Sequence, residues 1–141
     1  MNDPKDSQSV WTRSGRVWRP WWVSRDPTTR ELGGWGEWIA LNHLRKLGWD
    51  VLARNWKGFQ GEVDLIAYDG PWLVFVEVKT GRGGGNWPPE ERVDWSKERK
   101  LDELALDFWM RYEMEERPVR IDVIGVETRD LRNYELWHFG G

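Results

Sequence analysis

The chain has 141 residues and a formal net charge of −3, and it contains 13 tryptophans and no cysteine. This length is usual for one domain, and the lack of cysteine excludes a disulfide scaffold and thiolate metal sites. The negative charge argues against a protein that coats nucleic acid by bulk charge. Because the apolar runs are too short to span a bilayer and no signal peptide is evident, we expect a cytoplasmic protein with no membrane contact.

Residues 1–30 differ from the rest of the chain in charge. They carry six Lys/Arg against three Asp/Glu, whereas residues 31–141 carry fifteen against twenty-one. No period of 2 or 3.6 residues runs through the first segment, so we interpret 1–30 as a flexible, Arg/Trp-rich arm and 31–141 as a single domain. Two readings of the arm remain open: it stacks on nucleic acid, or its tryptophans pack on the domain surface.

The segment 31–141 contains helical and strand patterns in a definite order. Apolar spacing predicts a helix over Glu31–Leu47, and a second helix between Asp94 and Glu115. The order is therefore αβββαββ, a mixed α/β fold with a sheet flanked by helices. The five predicted strands are Val51–Asn55, Glu62–Tyr68, Trp72–Thr80, Val119–Val126 and Tyr134–Phe139.

Four charged residues lie inside the second and third predicted strands: Glu62, Asp64, Glu77 and Lys79. Side chains two residues apart in a strand share a face. A hairpin turning at Gly70-Pro71 puts Asp64 directly opposite Glu77, and one turning a residue earlier puts them on a diagonal. In both registers the four groups share one face, and Asp64 and Glu77 can share a cation.

The chemistry of these groups favours a hard metal ion. Like charges across a strand pair repel each other, and oxygen ligands without cysteine or paired histidine suit Mg²⁺ or Mn²⁺. Lys79 supplies one positive charge against two or three carboxylates, so it cannot replace the ion. Glu37, one turn before Ala40, either reaches the same ion or is favoured near the start of its helix by the macrodipole.

Three further features of the sequence bear on the function or the structure. The segment Gly81–Pro89 is rich in glycine and holds Arg82; it either closes over a nucleic-acid backbone or only links two elements. His43 and His138 have no acidic or cysteine partner at the spacing of a triad or a zinc site, which indicates structural roles. Asp122 follows Arg120 by two residues, and an ion pair within the strand is expected.

Asp64, followed after twelve residues by Glu77-Val78-Lys79, resembles the D…ExK core of the PD-(D/E)xK nuclease superfamily. Over residues 31–126 the chain resembles the YraN-like family of predicted endonucleases. Val63 stands where the superfamily has its name-giving proline. The segments that carry the family resemblance include Gly36-Glu37, Gly61–Ala67, Leu73–Lys79, Lys100-Leu101, Ala105 and Arg120–Ile124.

The resemblance implies a restriction-endonuclease-like core and a role for each matching residue. Asp64 and Glu77 are implied to ligate Mg²⁺ or Mn²⁺, and Glu37 to complete or support the site. Lys79 is implied to orient the attacking water or to stabilise the transition state. Glu62 either supports the ligands or binds a second ion.

The activity implied is metal-dependent hydrolysis of phosphodiester bonds in DNA, with branched or damaged DNA suggested by the similarity to Holliday junction resolvases. Lys79 and Arg82 are the candidate contacts to the nucleic acid, and cutting both strands of a junction favours a homodimer. The alternative is a nucleic-acid or protein binding module that keeps the nuclease fold without catalysis.

Overall fold

The computed structural model describes residues 10–59, 61–83 and 100–140. It is a mixed α/β fold in which one sheet of six strands lies between two helices, as a restriction-endonuclease-like core requires. The remainder of the predicted glycine-rich loop after Gly83, and residues 94–99 of the predicted second helix, lie outside the described residues. The elements are β1 (Val10–Arg16), α1 (Thr29–Lys46), β2 (Asp50–Gly58), β3 (Gly61–Asp69), β4 (Trp72–Gly81), α2 (Leu101–Tyr112), β5 (Val119–Thr128) and β6 (Asn133–Gly140).

The strand order in the sheet is β1-β6-β5-β4-β3-β2. β4 and β5 are parallel, and the other neighbours are antiparallel. The parallel pair needs a crossover, and α2 lies in the segment that connects β4 to β5. The two central strands are therefore covered on both faces, which explains why Leu73, Val74, Phe75 and Val76 are all fully buried.

Each face of the sheet carries its own apolar cluster. The α1 cluster joins Trp35, Ile39 and Leu44 of α1 to Val74 and Val76 of β4 and to their neighbours. The α2 cluster joins Leu104 and Phe108 of α2 to Leu73, Phe75 and others on the opposite face. The cluster in which a strand residue packs shows on which face of the sheet its side chain lies. Neither helix in the described ranges is long and apolar enough to cross a membrane.

Helix α1 begins and ends where local chemistry dictates. The Thr28 hydroxyl accepts a hydrogen bond from the Glu31 backbone N–H at 3.1 Å, which satisfies one of the free amides of the first turn. Gly48 follows the helix with φ +83°, a conformation that glycine adopts without a steric cost. The helix thus starts two residues before its predicted first residue, Glu31.

The interpretation of residues 1–30 as an arm without a packed element is wrong for residues 10–16. They form β1, which pairs antiparallel with β6 from Val10 to Arg16. Farther along, Val23 is only 2% exposed and belongs to the α1 cluster. β1 was not predicted because it is an edge strand rich in polar residues, and its partner lies more than a hundred residues away in the sequence. Residues 1–9 lie outside the described residues.

Candidate functional site

Strands β3 and β4 pair over only part of their length and then separate, and we term the point of separation, at Asp64 and Glu77, the fork. These strands pair from Asp69–Trp72 to Leu65–Val76, which confirms the register of a hairpin that turns at Gly70-Pro71. Beyond Val76, β4 continues beside β5 as far as Gly81. Beyond Leu65 in the other direction, β3 continues beside β2. The next pair in register would be Asp64 and Glu77, so these two acids stand where the strands separate.

The side chain of Asp64 takes part in opening the fork. Its Oδ2 accepts a hydrogen bond from the Val78 backbone N–H at 2.8 Å. In a continued ladder that N–H would be donated to the carbonyl of Val63, the residue in register with Val78. The carboxylate replaces a main-chain acceptor, and it is thereby fixed beside the peptide bond that follows Glu77.

The alternation of side chains is interrupted at the same level. Val63 and Ile66 both pack in the α2 cluster although they are three residues apart, and Leu65 packs in the α1 cluster. Asn55, opposite Asp64 in the register of β2, has φ +49°, a left-handed conformation that asparagine tolerates better than most residues. The break in alternation falls between Val63 and Leu65, at the position of Asp64.

Glu37 reaches the fork from α1. It lies eight residues after Thr29, in the third turn of the helix, so the macrodipole does not explain its position. The preceding Gly36 allows α1 to approach β4 closely, because a Cβ at this position would overlap the Thr80 side chain. The helix thus brings a third carboxylate toward the two acids of the sheet.

The electrostatics confirm that Glu37 and Asp64 are neighbours. Burial raises the pKa of Glu37 above its usual value, and the negative charge of Asp64 raises it further. A hydrogen bond from the Asn55 side chain and the charge of Arg54 act in the opposite direction. Asn55 is the site residue that sequence reasoning missed. Its signal is weak, because an asparagine at the end of a predicted strand is also an ordinary loop residue.

Three other predicted site residues occupy different surroundings. Glu62 is exposed, with 72% of its side chain accessible, and its Oε1 lies 3.7 Å from Lys57 Nζ. Lys79 is exposed on β4, two residues after Glu77 and therefore on the same face of that strand. Arg82 is held by a hydrogen bond of 2.8 Å from its guanidinium to the Pro27 carbonyl. The structure therefore places Glu37 beside Asp64, Glu77 on β4 where β3 and β4 separate, and Glu62 beside Lys57.

The available carboxylates fit a magnesium or manganese ion that also binds water and substrate, rather than an ion that protein ligands hold alone. Within residues 10–59, 61–83 and 100–140, no three or more His, Cys, Asp or Glu side chains form a ready-made metal cluster. Mg²⁺ is commonly held by one or two carboxylates, with waters and substrate phosphates completing its shell. The raised pKa of Glu37 beside Asp64 also matches the pattern of a cation site, since a cation would relieve that repulsion.

A second set of charged side chains, which we term the buried network, runs beneath α1. Asp122 accepts from Arg120 Nε at 3.0 Å, and its other oxygen lies 2.7 Å from His138 Nε2. His138 Nδ1 lies 2.9 Å from His43 Nε2. The Arg120–Asp122 ion pair is confirmed, and Asp122 also gives His138 an acidic partner that the sequence spacing did not indicate. That partner is 16 residues away and is supplied by the adjacent strand.

Burial, followed by the nearby charges of His138, Arg13 and Lys46, lowers the pKa of His43 to about 3. His43 is therefore neutral near pH 7. The buried network ends at this ring, whose Nδ1 is buried and has no hydrogen-bond partner within the part of the chain that the structure describes. These contacts join α1, β5 and β6, which indicates a structural role.

Comparison with known proteins identifies the family. The model of the family described as "Uncharacterised protein family UPF0102" matches residues 36–126, a range that includes the fork acids and Lys79. A UPF0102 protein of Rhodococcus opacus is 44% identical over 95 residues, which cover 67% of this chain and 80% of that protein. A UPF0102 protein of Mycolicibacterium smegmatis is 41% identical over 116 residues, covering 81% and 94% respectively. One from Symbiobacterium thermophilum is 44% identical over 99 residues, covering 70% and 84%. The chain belongs to the UPF0102 family, the YraN-like group that its sequence resembles.

Proposed function

We propose that the protein is a metal-dependent nuclease that hydrolyses phosphodiester bonds in DNA, with branched or damaged DNA as its substrate class. The observation that carries the proposal is the fork, where Asp64 is hydrogen-bonded to the amide that follows Glu77 while Glu37 approaches from α1. Two neighbouring strands thus bring oxygen ligands to a half-exposed position that a phosphate can reach.

In this proposal Asp64 and Glu77 hold Mg²⁺ or Mn²⁺. Such an ion polarises the scissile phosphate and lowers the pKa of a bound water. The hydrogen bond from Val78 N–H fixes the direction of the Asp64 carboxylate, so one of its oxygens is oriented by the main chain. A ligand whose rotamer is set in this way needs no reorganisation when substrate binds.

Glu37 and Lys79 have complementary tasks. A carboxylate with a raised pKa accepts a proton more readily near neutral pH than an ordinary glutamate does, which suits Glu37 to take the proton of the attacking water. Asn55 holds that carboxylate by its side-chain hydrogen bond. Lys79, exposed on the face of β4 that carries Glu77, places an ammonium charge where a phosphate would develop negative charge.

The test is an assay of the purified full chain against labelled duplex, single-stranded, flap and four-way DNA, with Mg²⁺ or Mn²⁺. We expect cutting that depends on the metal and falls by more than about 100-fold in Glu77→Ala and in Lys79→Ala. Lys57→Ala is the matched control, since Lys57 is also an exposed strand lysine but pairs with Glu62. It should cut like the wild-type protein.

The result that contradicts the proposal is the absence of metal-dependent cutting on all four DNA forms, from a protein that folds normally. Binding of DNA or of a protein without cutting would then favour the module that keeps the fold without catalysis. Sedimentation of the protein on a four-way junction would show whether two copies bind, the arrangement that cutting of both strands favours.

A further inference from the structure

Residues 16–25 display two large aromatic side chains to solvent. Trp18 is 86% exposed and Trp21 is 95% exposed. The segment is nevertheless anchored: Val17 donates its backbone N–H to the Arg132 carbonyl at 2.7 Å, and Val23 is buried in the α1 cluster. Val23 is thus buried while two tryptophans three residues apart in the sequence remain outside, and exposed apolar side chains grouped in this way mark interaction sites.

The same segment is positively charged in a chain that is negative overall. Residues 10–30 contain five arginines and one aspartate, against a net charge of −3 for the whole protein. Arg16, Trp18 and Arg132 line one shallow hollow beside it. Arg25, Arg82 and Arg129 line another. The surface therefore combines aromatic faces with guanidinium groups, which complements a polyanion that presents aromatic rings.

This surface lies at the end of the sheet where the fork opens. Arg82, three residues after Lys79, is hydrogen-bonded to the Pro27 carbonyl. Trp22 lies beside Gly34 on α1, where a Cβ would be 3.5 Å from its ring. Gly34 precedes Glu37 by three residues, a rise of about 4.5 Å along the helix. Both the strand that carries Lys79 and the helix that carries Glu37 thus lead to this segment.

We propose that residues 16–25 form a binding surface for unpaired bases of a single-stranded nucleic-acid segment, with Trp18 and Trp21 as stacking platforms and the nearby arginines as phosphate contacts. The inference rests on the proposed function, because it identifies the substrate of the fork as nucleic acid with an unpaired stretch. A duplex hides the faces of its bases, so exposed indole rings select the single strand. The segment lies outside the range that the family model matches, 36–126.

The test measures binding in a chelator, so that it does not depend on metal or on cutting. The probe is a fluorescein-labelled single-stranded DNA oligonucleotide, compared by anisotropy with its duplex, using the full chain. We expect tighter binding of the single strand, decreasing with added salt, and a loss of about 30-fold in Trp18→Ala/Trp21→Ala. Trp18→Phe/Trp21→Phe should retain most of the affinity because it retains aromatic faces.

Phe59→Ala is the matched control, since Phe59 is 87% exposed on a different part of the surface, where it contacts Arg111. It should bind like the wild-type protein. Equal affinity for single strand and duplex, or an unchanged affinity in the double alanine variant, would overturn the inference. So would binding to anionic phosphatidylserine vesicles without binding to DNA.

The same experiment separates this inference from the proposed function. If single-strand binding requires Trp18 and Trp21 but no DNA form is cut with either metal, the binding surface stands and the nuclease proposal fails. If DNA is cut while the double alanine variant cuts single-stranded and flap substrates at the wild-type rate, the nuclease proposal stands and the binding surface fails.

Discussion

The fork and the buried network place carboxylates in the same sheet, but their surroundings differ. In the buried network, Asp122 is fully buried and its two oxygens meet Arg120 and His138 at 3.0 and 2.7 Å. At the fork, Asp64 is half-buried, and one of its oxygens accepts from a backbone amide instead. Burial raises the pKa of Glu37 and the negative charge of Asp64 raises it further, so the two carboxylates repel each other in the folded protein.

The different surroundings of Asp122 and Asp64 indicate two different roles for an acidic residue within a strand. A buried carboxylate that meets positively charged or hydrogen-bonding side chains contributes to the fold itself. Acids that a fold brings together despite repulsion form the electrostatic pattern typical of cation and catalytic sites. Each of the following predictions tests whether the two regions behave in these two ways.

The largest effect is expected in the buried network. Asp122→Ala removes the partner that Arg120 and His138 share, although Arg120 keeps Asp69 Oδ2 at 2.6 Å, and this should lower the free energy of unfolding by about 3 kcal/mol. Asp64→Ala should cost less, about 1–3 kcal/mol for the unpaired Val78 amide, and relief of the repulsion with Glu37 offsets part of it. Urea unfolding without metal measures both. Equal costs would remove the distinction between the two regions.

The sequence predicted the elements that carry a strong local period. The first helix, the strands β3 and β4 and the Gly70-Pro71 hairpin follow from apolar spacing and turn residues, and the hairpin register set Asp64 against Glu77. The left-handed Asn55 and the break in alternation beside Asp64 were not predicted. They depend on how β2 follows β3 at the fork, which no local pattern encodes.

Contacts between residues that are far apart in the chain were also not predicted from the sequence. His43 and His138 are 95 residues apart in the sequence and meet only because α1 packs on the face of the sheet that carries the His138 side chain. β1 carries no apolar alternation of its own, and it is defined by pairing with the last strand. Contacts of this kind follow from topology, and the topology of a six-stranded sheet is not set by the periods of its single elements.

The close approach of α1 to the fork can be tested with two glycines of the same helix. Gly36→Ala should destabilise the protein by about 1–3 kcal/mol, because the added methyl overlaps Thr80 and pushes α1 away from β4. It should also lower activity by displacing Glu37. Gly33→Ala is the matched control, since a Cβ there meets nothing within 4 Å. Because alanine has a higher helix propensity than glycine, Gly33→Ala should raise the free energy of unfolding by up to about 1 kcal/mol. If Gly36→Ala left the free energy of unfolding unchanged, α1 would not be tightly packed against β4 at this position.

The smallest effect is a pH dependence that originates at Glu37. Because its pKa is raised in the folded protein, the folded state retains the proton to higher pH than the unfolded state does. Its contribution to stability is therefore present below the usual value of 4.5 and is lost as the pH rises through the raised pKa. Glu37→Gln should remove this loss, so the variant should gain stability relative to wild type between pH 4.5 and 7.5 in metal-free buffer.

Glu31→Gln is the control with the opposite sign. Hydrogen bonds from Ser24 lower the pKa of Glu31, so its contribution is present above the usual value and is lost as the pH falls. This variant should lose stability relative to wild type as the pH rises. Urea midpoints at pH 4.5 and 7.5 measure the difference for Glu37→Gln, and midpoints at pH 4.5 and at lower pH measure the difference for Glu31→Gln. Parallel pH profiles for Glu37→Gln and wild type would show that the pKa of Glu37 is not raised in the folded protein.

Calorimetric titration of the full chain with Mn²⁺ measures whether Asp64 and Glu77 bind a divalent cation together. We predict saturable binding to the wild-type protein, its loss in Asp64→Ala and Glu77→Ala, and its retention in Glu62→Gln, whose carboxylate lies beside Lys57. Mn²⁺ binding that survives in both Asp64→Ala and Glu77→Ala, or that is absent from the wild-type protein at millimolar Mn²⁺, would contradict the account.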